Sequence, residues 1–470
     1  MPASPAIRVR TYRQGLGDCH LVTILQDGEP AFRMLIDCGV YQTAPGGSDT
    51  IRKVVADVIE ETGGHVDVLT VTHEHWDHVS GFNQARDRFL SADEPAEAGK
   101  LKVDQVWMGW AEDPADTVAR GIVERRGEAI RRVGIAAELA QKFAAGGSAS
   151  AGKLAEGLHS VLGFFGGAKR TTLDALTFAR SMVKTPRYCR PSDPPRRIGA
   201  GVLCYVLGPP LDPARFYKLL DDAETYHIAE TRSATALAAA MDIANGMDAE
   251  DTAQPFDSRY RIPAPFLGTE GTAPAEKGFF ETAYWGNDSD GSNQAWRRID
   301  GDWLAGSREF ALKLDSATNN TSLVLAFELD ATGRTLLFVA DAQVGSWLSW
   351  IDLEWDVGGR RVTGADLLAR TVFLKVGHHG SHNATLRGKG LETMGSDLIA
   401  FIPTDEELAK KVGWGRMPLP TLVQALDRHS TGRVVRTDRE YAAGPDAHAD
   451  THAFAGKLKR TDLYYEIEID

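Results

Sequence analysis

Cysteine is scarce in this chain: four residues in 470, at Cys19, Cys38, Cys189 and Cys204, with no Cys-x-x-Cys pair among them. That spacing argues against a disulfide framework and against a thiolate zinc site, and buried reduced thiols are the expected state. No apolar run reaches the ~18 residues that a membrane-spanning helix needs. The N-terminal MPASPAIRVRTYRQGLGD lacks the apolar core of a secretory signal. A cytoplasmic protein with no membrane partner is therefore expected. Positive charge is also short: 52 Lys and Arg against 65 Asp and Glu leave a net charge of −13. A chain of that sign repels polyphosphate at long range, which disfavours long nucleic acid as a partner. A nuclease with a locally positive, metal-loaded site stays open. The densest basic run, ERRGEAIRR at 124–132, is expected to be a solvated helix face. No internal repeat recurs at a fixed period.

What is present is ordinary globular composition over a length that calls for two or three lobes or one large decorated domain. Short apolar runs broken by Gly, Asp and Pro mark strands within 7–39, and again at VDVLTVTH (66–73) and KVDQVWMGW (102–110). Helical spacing covers IRKVVADVIEE (51–61), VSGFNQARDRFL (79–90) and LPTLVQALDRH (419–429). Strands return at GAGVLCYVLGPP (199–210) and from 321 onward, ending with RVVRT and LYYEIEI. Two strand-rich parts, 1–110 and 311–470, thus bracket a mostly helical insertion or cap, 111–310. Alternation of strands and helices implies a layered α/β fold.

The chemistry concentrates in VTHEHWDHVSGF, 71–82, where His73, His75, Asp77 and His78 fall within six positions. The cluster follows an apolar strand. Alternation puts His73 and His75 on one side, where both imidazoles can grip one metal, while Asp77 and His78 can turn toward a second. Imidazole nitrogen and carboxylate oxygen suit zinc, with manganese and iron as other possibilities. Two such ions share a hydroxide that attacks carbon or phosphorus.

THEHWDH resembles the His-x-His-x-Asp-His signature of the metallo-β-lactamase superfamily. Further stretches match that family in order: LIDCG (35–39), LLFVADA (336–342) and FLKVGHHGSHNAT (373–385). Together with RQGLGDCHLV, NNTSLVL and VVRTD, they resemble one branch, the metallo-hydrolase domains of ComEC-type DNA-uptake proteins and phosphorylcholine-esterase-like enzymes. The resemblance covers roughly 1–110 and 310–440 and leaves out the middle. It implies a four-layer αββα sandwich with two divalent ions at one end of its sheets. The implied ligands are His73, His75, Asp77, His78, Asp341 and His379. Adjacent residues at a strand end point apart, so His379 is taken as the ligand and His378 as the group that touches substrate. Asp77 and His378 are the expected catalytic residues. Asp37 and Asp18 are expected to hold the ligands from behind, and Asn320, Ser381 and His382 to contact substrate.

The chain departs from the wider family in one respect. Many members supply a third histidine to the first metal, and VLCYVLGPP, where it would be sought, holds none. His159 and His227 both fall in helical contexts. The first site is expected to lack that ligand. The implied activity is hydrolysis by a metal-bound hydroxide, on a phosphodiester in a nucleotide, nucleic acid or phospho-head-group. The alternatives are a lactone, β-lactam or thioester hydrolase, and a non-catalytic regulatory relative.

Overall fold

The computed structural model describes residues 5–226 and 313–470, with Phe279 and Ala311, apart from 146–148, 168–169, 200, 219, 222, 413, 415 and 445–448. The chain divides into two compact units. One comprises Met1–Gly127, Ser160–Ala229 and Lys313–Asp470, and the other Glu128–His159 and Glu230–Leu312.

The first unit is α/β and is built on two large mixed sheets. One runs, edge to edge, through Lys459–Arg460, Tyr464–Ile469, Ala6–Tyr12, His20–Gln26, Glu29–Ile36, His65–Val71, Lys102–Gly109 and Arg187–Cys189. The other runs through Val434–Arg436, Ile399–Ile402, Thr371–Lys375, Thr335–Phe338, Val324–Leu329, Val202–Gly208 and Arg196–Arg197. In each sheet an antiparallel meander passes into a parallel half.

Strand alternation decides the layering. Val9, Val22, Ile36, Val68 and Ile467 of the first sheet meet Cys204, Leu325, Phe338, Phe373 and Phe401 of the second in one apolar core. The opposite face of the first sheet, with Leu35, Leu69 and Val106, packs on helices Gly47–Thr62 and Thr172–Ser181. The opposite face of the second, with Leu337, Leu374 and Ala400, packs on Val344–Trp350, Gly364–Ala369 and Pro420–His429. The order is helix, sheet, sheet, helix, and each sheet is covered on both faces, as parallel strands require.

The strands at 187–208 belong to these sheets, so the unit boundaries differ from the expected 111–310 insertion. Within that span, a helix at Thr117–Ala145 and another at Ala149–Leu162 carry the helical pattern. Of the helical insertion expected over 111–310, residues 227–310 other than Phe279 lie outside the described residues. The helix expected over 79–90 is broken into turns at Gly81–Gln84 and Arg86–Arg88. Gly81 is pressed against Cys38, and Ser80 hydrogen-bonds Val40, so tertiary contacts override helical periodicity there. All four cysteines are buried and unpaired. No helix among the described residues is long and apolar enough to cross a membrane.

Candidate metal centre

The parallel strands deliver their carboxyl ends to one place, the position where open α/β sheets collect ligands. Glu29–Ile36 leads into Asp37, and His65–Val71 into His73. Thr335–Phe338 leads into Asp341, and Thr371–Lys375 into His378 and His379. Asp37, Ala340, His378 and His379 all hold positive φ without being glycine, at 56°, 49°, 44° and 51°. Such backbone costs ~1–3 kcal/mol per residue and persists only where the surroundings enforce it. Gly17 and Gly39 lie flat against the Asp77 backbone, where any Cβ would collide. Asp18 N–H donates to the Asp77 carbonyl, and Cys38 N–H to that of His78, at 3.0 and 2.9 Å. The His75–His78 loop is thus fixed from behind by the two strand-end loops.

The side chains converge in three overlapping trios whose ligand atoms lie within 4.8 Å of one another: His73–His75–Asp341, Asp77–Asp341–His379 and Asp18–His78–Asp341. Asp341 belongs to all three. His73, His75, Asp77, His78, Asp341 and His379 are all fully shielded from solvent. These buried groups can bind a metal ion.

The hydrogen bonds behind the imidazoles decide which nitrogen faces inward. His78 Nδ1 lies 2.7 Å from Asp37 Oδ2, and His379 Nδ1 lies 2.9 Å from the Pro403 carbonyl. Both acceptors require an N–H, which leaves Nε2 as the inward atom. Thr72 Oγ1 donates to Asp37 Oδ2 (2.6 Å) and stands 3.1 Å from His73 Nδ1, so it accepts the proton there. His73 Nε2 is then 3.1 Å from His75 Nδ1, and His379 Nε2 is 2.9 Å from Asp77 Oδ2. His78 Nε2 sits 3.3 Å from Asp341 and 3.9 Å from Asp77. His78 Nε2, Asp77 Oδ1 and Asp341 Oδ2 have no hydrogen-bond partner although buried. Orphaned atoms of this kind, on both ligand types, fit a divalent cation.

Charge points the same way. Asp18, Asp77 and Asp341 are buried and held below the usual carboxylate range, with Lys375 the one ammonium buried beside them among the described residues, whereas burial pushes Asp37 and Asp315 up. Uncompensated buried charge costs several kcal/mol per ion, far above any one hydrogen bond. Lys375 Nζ bonds Asp18 and the Ala340 carbonyl (2.7 Å) and stands 3.5 Å from Asp341. Lys375 thus offsets part of the charge of Asp18 and Asp341, while Nε2 of His78 is left without a partner.

The protonation pattern follows. Burial pushes His75 down to about 3 and His73 well below the usual histidine range, so both offer lone pairs at neutral pH. Burial opposes protonation of His78 too, but Asp341, Asp18 and Asp37 outweigh it and raise its pKa well above normal. Asp77 and Asp341 likewise outweigh burial at His379 and raise its pKa. His78 and His379 thus take up protons that a metal must displace. Raised pKa values stabilise the metal-free fold fully below the unfolded value of 6.5, a contribution lost as pH rises through the folded values. Metal affinity changes in the opposite sense. The drop in Tm on adding chelator is expected to be larger at pH 8.5 than at pH 7. Thermal scans with and without chelator check this, and equal drops at the two pH values would mean that no ligand proton is displaced.

The expected substrate contacts separate. His378 Nδ1 accepts from Gln343 Nε2 (3.1 Å), Gln343 Oε1 accepts from Asn383 (3.0 Å), and Ser381 Oγ bonds Asn383 Oδ1 (3.2 Å). This neutral chain ends at His378, whose backbone N–H donates to Asp341 (3.1 Å). His382 is half-buried and neighbours Ser381 at 3.4 Å. Asn320, expected at the substrate, instead accepts the backbone N–H groups of Gln343 and Ser346 and donates to the Phe216 carbonyl. It clamps the start of a helix, because that terminus leaves orphan donors. His159 bonds its own helix at the Ala155 carbonyl (2.7 Å), and His227 lies outside the described residues.

Several residues of the centre were not singled out in the sequence. Lys375, Gln343, Asn383 and Asp315 are among them. Glu74, between two ligand histidines, is turned away and bonded to Arg126 and Thr172. Arg126 also pairs with Glu112 at 2.8 Å and is buried, an exception to the solvated face expected for 124–132. Phe164 and Phe165 pack on His75 at 5.0 and 5.1 Å, and Trp414 stacks on His379 at 6.0 Å. No family model matches the chain, and no curated protein matches it.

Proposed function

We propose that this chain is a metal-dependent hydrolase of the metallo-β-lactamase kind, holding two divalent ions and cleaving a phosphodiester in a nucleotide or phospho-head-group. Zinc is the first choice of ion, manganese and iron the others. The observation that carries the proposal is the convergence of buried imidazoles and carboxylates on Asp341 from the ends of three parallel strands, with atoms of His75, Asp77, His78 and Asp341 left unpartnered. The phosphodiester preference comes from the resemblance of GLGD, NNTSLVL, VADA and HHGS to one branch of that family.

When bound, the ions acidify water and stabilise negative charge on the scissile group. Asp77, with Oδ1 unpartnered and Oδ2 beside His379, would hold a metal through one oxygen and the proton of the nucleophile through the other. His378 accepts from Gln343 at Nδ1, so its Nε2 carries the proton and donates to charge developing on the substrate. Burial holds His378 down at about 4, so it acts as a neutral donor. Phe164, Phe165 and Trp414 keep bulk water off the imidazoles, which strengthens each of these interactions.

The test is elemental analysis of the purified protein beside a substrate panel. About two ions per chain and turnover of bis-p-nitrophenyl phosphate are expected, with turnover falling about 10²–10⁴-fold in Asp77→Ala. Turnover of a lactone or of nitrocefin, with none of the phosphodiester, would reassign the substrate to carbon. A chain that binds no metal after reconstitution is a non-catalytic relative.

A further inference from the structure

Three of the four imidazoles at the centre have their outward nitrogen engaged, by Thr72, by Asp37 and by the Pro403 carbonyl. His75 is the exception. Its Nδ1 faces His73 Nε2, so its outward atom is Nε2, which is buried and has no hydrogen-bond partner. Opposite it, at 3.8 Å, stands Oδ1 of Asp315, equally buried and equally unpartnered. The other carboxylate oxygen of Asp315 accepts from Asn319 Nδ2 at 3.2 Å. The carboxylate is therefore anchored one helical turn away, with its free oxygen toward the ring.

Among the described residues, Asn319 is the one side chain that hydrogen-bonds Asp315. Asp315 lies on the helical segment 313–319, just before the strand Val324–Leu329, and no Lys or Arg pairs with it among the described residues. Burial, with Asp341 and Asp77 nearby, pushes Asp315 well above the usual carboxylate range, and a carboxyl group left in such a place is costly to ionise unless it serves a cation or a polarised N–H. Ligand imidazoles on metals characteristically give their second N–H to a carboxylate or carbonyl, which fixes the tautomer and raises ligand basicity.

We propose that Asp315 is the positioning carboxylate of His75: it receives the Nε2–H and thereby commits Nδ1 to the metal. This rests on the dinuclear centre proposed above and adds to it a residue outside the sequence motifs. The role differs from that of the absent third histidine. Asp315 joins none of the candidate trios within ligand distance, and it acts through the ring of His75.

The experiment titrates Zn²⁺ or Co²⁺ into metal-free full-length wild type, Asp315→Ala and Asp315→Asn, reading both affinities and the visible spectrum of the Co²⁺ form. In Asp315→Ala one ion is expected to weaken about 10- to 100-fold while the other keeps its affinity. Saturating metal still gives two ions with an unchanged coordination number. Asp315→Asn, whose amide oxygen still accepts, recovers most of the loss. Unchanged affinities in a folded Asp315→Ala would overturn the role. So would a Co²⁺ spectrum showing one fewer ligand, since Asp315 would then bind metal directly. A wild-type protein that takes up no metal overturns the dinuclear centre itself, and is thereby distinguishable from a failure of this role alone.

Discussion

Asp341→Asn is expected to leave a folded protein with less than one metal ion per chain in place of about two. The substitution keeps the volume of the side chain and removes only its charge. Asp341 is the one residue shared by every candidate trio, so no arrangement of the remaining ligands can hold two ions without it. It is fully buried, and His78, Lys375 and His378 outweigh burial to keep its pKa well below the carboxylate range, so it is an anion at any working pH. Loss of the charge stabilisation supplied by metals removes several kcal/mol from the transition state. At ~1.4 kcal/mol per decade, turnover falls by at least about a thousand-fold. Elemental analysis and phosphodiesterase assay, with circular dichroism to show the fold, check this. Retention of two ions by a folded variant would remove Asp341 from the centre.

Lys375→Met carries the largest expected cost in stability. Its ammonium is the one lysine charge buried among the aspartates of the centre in the described residues, and it bonds Asp18, the Ala340 carbonyl and, more loosely, Asp341. Methionine fills the space but leaves the Asp18 carboxylate without its ammonium, while the Ala340 carbonyl keeps only the His378 N–H at 3.3 Å. Removing one member of a buried pair costs about 3–5 kcal/mol. For a domain of this size that shifts Tm by on the order of 10 °C. The double variant Asp18→Asn/Lys375→Met removes both charges and is expected to recover most of the loss, because a neutral buried pair strands no ion. Urea unfolding in chelator, which keeps metal loss out of the comparison, measures both. A single variant within about 1 kcal/mol of wild type, or a double variant no better than the single, would mean that Lys375 does not balance this charge.

The part of the centre legible in the sequence was the part compressed into short stretches. His73, His75, Asp77 and His78 lie within six positions between the strand end at Val71 and the helical turn Trp76–Val79, so nearness in sequence rather than strand alternation brings them together. The alternating runs at 7–39, 66–73 and 463–469 became strands for an equally local reason. What escaped notice depends on partners far away. Asp315 sits in LKLDSATNN, which reads as any polar helix end, and only the docking of that segment turns it toward His75. Lys375 left a signal that could have been used: a lysine inside the apolar run TVFLKVG must find a counter-charge or not be buried. Asn320 shows the reverse error. A polar residue in a family-like motif is expected at substrate, whereas its amide oxygen serves two backbone N–H groups at a helix start and its amide nitrogen the Phe216 carbonyl.

The two ligands that meet at 2.9 Å, Asp77 and His379, stand 302 residues apart in the chain. The sheet beneath the first of them is closed further by pairing of Ala6–Tyr12 with Tyr464–Ile469. A ribosome adding 5–20 residues per second needs roughly 15–60 s to travel between those two ligands. During that interval His73, His75, Asp77 and His78 are already outside while Asp341 and His379 are not yet made. The nascent chain then offers a four-residue chelating loop with no second half, open to whichever soft or abundant ion is nearest. If the centre proposed above holds metal, its identity would be decided at assembly as well as at equilibrium, and chains produced in different metal supplies would keep different ions once the sheets have shut over them.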